Sequence, residues 1–178
     1  MLSRRVRLTA LCLTAALALT PTAPLSAYPI NTAAADPLGP HVRGLSPKMK
    51  QLIEQGRRRS ATFKNLVEIL NQSDIIVYLE DTSAVPTGLD GRLMFLTSAG
   101  GVRYLHAQVT NSLHLDELIA VAAHELQHAV EVATHPEVRD TVTLALLYER
   151  IGVKTSGKDR YDTAAAQSTG RRVRAELS

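Results

Sequence analysis

Apolar positions recur at helical spacing in five stretches of the chain and bunch into β-branched or alternating runs in three others. Met49, Leu52 and Ile53 form a stripe behind Ser46-Pro47. Serine suits a helix cap and proline the first helical position, so a helix starts there. Gly56 and the run Arg57-Arg58-Arg59 are expected to break or bend it. Ser60 then caps a second piece, in which Phe63, Leu66, Val67 and Leu70 follow the i, i+3, i+4, i+7 pattern. Ile75 to Leu79 reads as a strand, and Thr82 to Asp90, with Pro86 and Gly88, as a loop. Arg92 to Thr97 and Val102 to Val109 read as a hairpin joined through Ser98-Ala99-Gly100-Gly101. A long helix follows and stops at His135-Pro136, because proline disfavours helical geometry in the residue before it. Glu137 to Ile151 is the next helix, ended by Gly152; Lys154 to Arg160 is a polar loop; Asp162 or Thr163 opens a last helix.

The order is therefore helices, three strands, a long helix and two more helices. That is an α+β fold with a small antiparallel or mixed three-stranded sheet packed on the long helix. Residues 28–45 carry proline, alanine and glycine without a period and read as a flexible leader. Residues 46–178 are one domain, a size that can bury roughly two-thirds of its unfolded surface. Seven aromatics and no tryptophan imply a core of Leu, Ile, Val and Ala.

The first 27 residues read as an export signal. Arg4, Arg5 and Arg7 make a basic start, Leu8 to Leu19 an apolar run short for a membrane span, and Leu25-Ser26-Ala27 a small-residue cleavage site. Ser3-Arg4-Arg5 is a partial twin-arginine match, and an uncleaved N-terminal anchor is the alternative. An exported, periplasmic or extracellular protein is expected. Its charge changes with the signal: without those three arginines, 17 basic residues face 17 acidic ones. No nucleic-acid partner and no membrane association after signal removal are expected. The only cysteine, Cys12, leaves with the signal, so stability must come from the core or from a metal.

The long helix carries the chemistry. With about 100° per residue, Leu118, Ile119, Ala122, Leu126, Ala129 and Val130 share one face, and His124, His128 and Glu131 share the other. Residues four apart lie on one side, so His124 and His128 can hold one zinc ion, with Glu125 beside it as general base. Asp116 and Glu117 fall in the first turn, where negative charge suits the helix dipole.

The run His124-Glu125-Leu126-Gln127-His128-Ala129-Val130 resembles the active helix of zincin metallopeptidases, in particular the thermolysin-like gluzincins, and small exported bacterial proteins with the same motif. The resemblance implies zinc held by two histidines and a third protein ligand, a zinc-bound water, a peptide or protein substrate, and Glu125 moving the proton. The metzincin subclass is rejected, since Glu131 and Thr134 stand where glycine and histidine are required. A gluzincin takes its third ligand from a glutamate on a following helix, which here points to Glu149; Asp162 is the rival. Glu131 reads as an acceptor behind a ligand histidine or a partner of an arginine. Tyr148 is the expected catalytic donor to a developing oxyanion, with Tyr161 as second candidate. His106 lies on a strand that could border a cleft, and His114 precedes the helix; neither is assigned a role. The alternatives to a peptidase-like hydrolase are a non-catalytic zinc-binding or protein-interaction domain, and a metal-free helical protein.

Overall fold

The computed structural model describes residues 38–154 and 161–178. The expected signal, most of the leader and residues 155–160 of the polar loop lie outside that range. The described residues form an α+β fold of five helices and a four-stranded mixed sheet, with a further two-stranded ribbon.

β1 (Val42–Gly44) opens the structure and pairs in parallel with β2 (Ile75–Thr82), Val42 opposite Val77. The leader is thus extended sheet at its end, and the sheet has four strands rather than three. Three residues are too short a run to show a period, which hides β1 in the sequence. α1 (Pro47–Arg59) starts as expected, with Met49 N–H donating to the Ser46 hydroxyl. It does not break at Gly56. A Cβ there would lie 2.8 to 2.9 Å from the Phe63 ring, so glycine makes room for α2 (Ala61–Asn71) instead of ending α1. In the arginine run Arg59 is held by Asp116 at the start of the long helix, and Arg58 by Gln55 of its own helix.

β3 (Gly91–Ala99) and β4 (Val102–Thr110) form the expected hairpin, turning at Gly100 and Gly101 with positive φ. β4 pairs in parallel with β2, giving the order β1-β2-β4-β3 with β3 at one edge. Ile75, Val77, Leu79, Leu105, Ala107 and Val109 point to one face of the sheet and enter the core. His106 is on the other face, 3.0 Å from Glu80, so its strand does not border the cleft.

α3 (Leu115–Ala133) lies in that core. Leu118, Ile119, Ala122, Leu126 and Ala129 are buried, as the sequence expects, but so are Ala120, Ala123, Glu125 and His128. The helix is covered nearly all round. Its C-terminal carbonyls are met by Arg103 of β4, which is 1% exposed. Arg103 Nη1 donates to Val132 O at 2.9 Å, His135 O at 2.8 Å and Val138 O at 3.3 Å, while Nε and Nη2 grip Asp74 at 2.8 and 2.6 Å. A cation at the C-terminal end also complements the helix dipole.

α4 (Thr141–Ile151) begins four residues later than expected, because Asp140 and Thr143 form a capping box. β5 (Val153–Lys154) and β6 (Tyr161–Asp162) form the ribbon, which leads into α5 (Ala164–Leu177). No helix among the described residues is long and apolar enough to cross a membrane.

Candidate metal centre

Three side chains from two segments converge on one point. His124 and His128 come from consecutive turns of α3, and Asp162 from the end of β6. The Nε2 atoms of the two histidines are 3.2 Å apart. Asp162 Oδ1 is 3.2 Å from His124 Nε2 and 3.5 Å from His128 Nε2. The rings stand edge-on at 77°. This group could hold a metal ion.

The carboxylate that meets the two histidines is that of Asp162; Glu149, the residue to which the resemblance points, is not part of this group. Glu149 is exposed and stands outside the group. On α4 the inward residues are Leu144, Leu147 and Tyr148; Glu149 is turned about 100° from Tyr148 and lines the larger cleft beside the site without joining the group. Asp162 was expected to be either a cap or a ligand. Thr163 takes the cap, its hydroxyl accepting from Ala166 N–H at 3.0 Å, which leaves the Asp162 carboxylate to face the histidines. That carboxylate is oriented by the Thr163 N–H on Oδ1 at 2.7 Å and by Gln167 Nε2 on Oδ2 at 3.1 Å.

Glu131 stands behind His128. Its Oε2 is 2.9 Å from His128 Nδ1, and its Oε1 accepts from the Thr163 hydroxyl at 2.6 Å. An ionised carboxylate only accepts, so His128 Nδ1 must carry a proton. Tyr148 is also brought to this histidine, but differently from the expectation. Its hydroxyl donates to His128 O at 3.1 Å and its ring meets the imidazole edge-on at 5.1 Å. The phenol is thus engaged with the α3 backbone, and burial pushes its pKa up.

The electrostatics favour positive charge at the centre. Burial opposes a charged His128, but its hydrogen bonds to Asp162 and Glu131 and the charge of Glu125 outweigh this and push its pKa up to about 10. Burial and the neighbouring His128 hold His124 below its ordinary value. Burial would raise Asp162, yet the His128 bond and the His124 charge bring it down to about 2. Burial takes Glu125 up to about 7, against the pull of His128.

Two clefts meet at this centre, both lined by Gly88, Leu89, Gly91, His124, Glu125 and Asp162. One, of about 770 Å³, continues along Arg92 and Leu93 of edge strand β3 to Leu144, Tyr148 and Tyr161. The other, of about 310 Å³, runs to Gln167, Arg171 and Arg174 of α5.

Gly91, the first residue of β3, sets the space for Glu125. A Cβ at Gly91 would lie 2.6 Å from Glu125 Oε1 and 3.0 Å from Val121 Cγ1. Gly91→Ala is expected to cost about 1–3 kcal/mol as overpacking, read as a lower denaturation midpoint. An unchanged midpoint would mean that β3 yields freely.

Comparison of the chain with protein-family models, with curated proteins and with solved structures gives no match.

Proposed function

We propose that the centre binds zinc and that the protein is a zinc-dependent hydrolase of zincin-like, gluzincin type acting on peptide bonds. The observation that carries this reading is the triangle of His124 Nε2, His128 Nε2 and Asp162 Oδ1, with edges of 3.2, 3.2 and 3.5 Å. Ligands at zinc bond lengths on a tetrahedron are about 3.3–3.4 Å apart. The donor set, two imidazole nitrogens and a carboxylate, suits the same ion and leaves a fourth position open towards the clefts. The carboxylates that favour a proton on His128 favour a cation in its place. With His128 Nδ1–H bonded to Glu131, Nε2 is the nitrogen left to the ion, which would take the place of its proton.

A zinc ion held there would supply Lewis acidity and a water of lowered pKa. The rest falls to the chain. Glu125 is buried beside the ligands with its carboxyl pushed up to about 7, where it can both take and return a proton near neutral pH. The edge strand β3 borders the larger cleft and can align an extended peptide through its backbone groups. Tyr161 lines the same cleft next to Asp162 and is better placed than Tyr148 to donate to substrate.

The purified chain is expected to carry one zinc by elemental analysis. Asp162→Ala should lose it, whereas Glu149→Ala should keep it. A metal-free protein in zinc-supplemented buffer, or an Asp162→Ala variant that binds like the wild type, would overturn the assignment.

A further inference from the structure

We propose that Thr163 is the positioning residue of the metal centre, setting the third ligand and the acceptor behind His128 from one place in the chain. This rests on the metal-binding reading above. Thr163 is 5% exposed and lies between β6 and α5. Its N–H donates to Asp162 Oδ1, the oxygen that faces both histidines. Its hydroxyl donates to Glu131 Oε1 at 2.6 Å, and Glu131 Oε2 holds His128 Nδ1 at 2.9 Å. The same hydroxyl oxygen accepts the Ala166 N–H that it caps.

Donor counting shows that the residue is more than a cap. A hydroxyl has one proton and two lone pairs. Ala166 N–H can only donate to the hydroxyl oxygen, so the single proton is free to go to Glu131 Oε1, where the hydrogen bond points. The chain Thr163–Glu131–His128 thereby fixes the imidazole from behind, while the Thr163 backbone fixes the carboxylate in front. Two ligands that are 34 positions apart in sequence, His128 and Asp162, are held in register by one residue. A helix cap alone would need only the Ala166 contact.

The test is titration of the full chain with zinc(II) against a competing chelator. Thr163→Val keeps the shape and removes the hydroxyl; it should bind zinc about 10–100-fold more weakly, the effect of losing the group that orients a ligand. Thr163→Ser keeps the proton and should stay within about twofold of wild type. Glu131→Gln should weaken binding as well. Because Thr163 acts through Glu131, the double variant Thr163→Val/Glu131→Gln should be no worse than the weaker single variant by more than about twofold. Loss of the cap by itself would be independent of residue 131, so the two effects would multiply; that outcome overturns the proposal. So does a Thr163→Val chain that binds like wild type. If Thr163→Val does not fold, Glu131→Gln decides, and wild-type affinity there removes the link. A wild-type chain that takes up no zinc would remove the metal reading itself, and this inference with it.

Discussion

Glu125→Gln is expected to cut hydrolysis by about 10²–10⁴-fold while the chain keeps its zinc. The two effects separate because Glu125 is not among the atoms that converge on the centre. The amide has the same shape, so the fit beneath Gly91 is preserved, but it cannot take up a proton. Stability should move the opposite way. The folded pKa of Glu125 is about 7, above the usual carboxylate value, so its contribution to stability is full below that usual value. It is lost as pH rises from about 4.5 through 7. The metal-free wild-type chain should therefore weaken over that window, and the metal-free Glu125→Gln chain should not. The activity is read on a peptide that the wild type cleaves, and the metal by elemental analysis. A Glu125→Gln protein that still cleaves at the wild-type rate sinks the mechanism.

Arg103→Met is expected to cost about 3 kcal/mol, the largest stability loss of any single change considered. Its guanidinium serves three carbonyls, one in the last turn of α3 and two in the segment that follows, and both oxygens of Asp74. Methionine fills part of the volume but leaves buried acceptors without a donor, at about 1–3 kcal/mol each before relaxation. For a domain of this size the melting point should fall by about 10 °C. Asp74 is partly exposed, so its own charge can be solvated and contributes less. Its hydrogen bond to Arg103 holds its carboxyl below the usual range. That contribution is present above the unfolded value near pH ~3.9 and is lost as pH falls through the folded one. The gap between wild type and Arg103→Met should narrow in the same acid range. Equal denaturation midpoints at neutral pH would show that α3 ends without help from β4.

The core was largely readable in the residues themselves. Ser46-Pro47, Ser60 and the i, i+3, i+4, i+7 stripe of Phe63 to Leu70 each specify their element locally, and the structure follows them. The hairpin at Gly100-Gly101 is equally local. Where the reading failed, the missing fact was a neighbour. Gly56 looks like a breaker until the Phe63 ring is seen to need its space. Nothing in the sequence gives Arg103 a partner; the end of α3, laid beside it, does.

The same division runs through the site. Helical geometry alone puts His124 and His128 on one face with Glu131 one turn behind, because the spacing of side chains within a helix is set by its own backbone. The partner that completes the triangle comes from a segment 34 residues after His128. Choosing between Glu149 and Asp162 required the direction of α4 and the place where α5 begins. A one-residue difference in the cap, Thr163 rather than Asp162, frees one carboxylate for the centre, while Glu149 lines the larger cleft without joining the group. Spacing along a single helix is a property of the chain; the meeting of separate segments depends on how they pack, and only the tertiary structure supplies that.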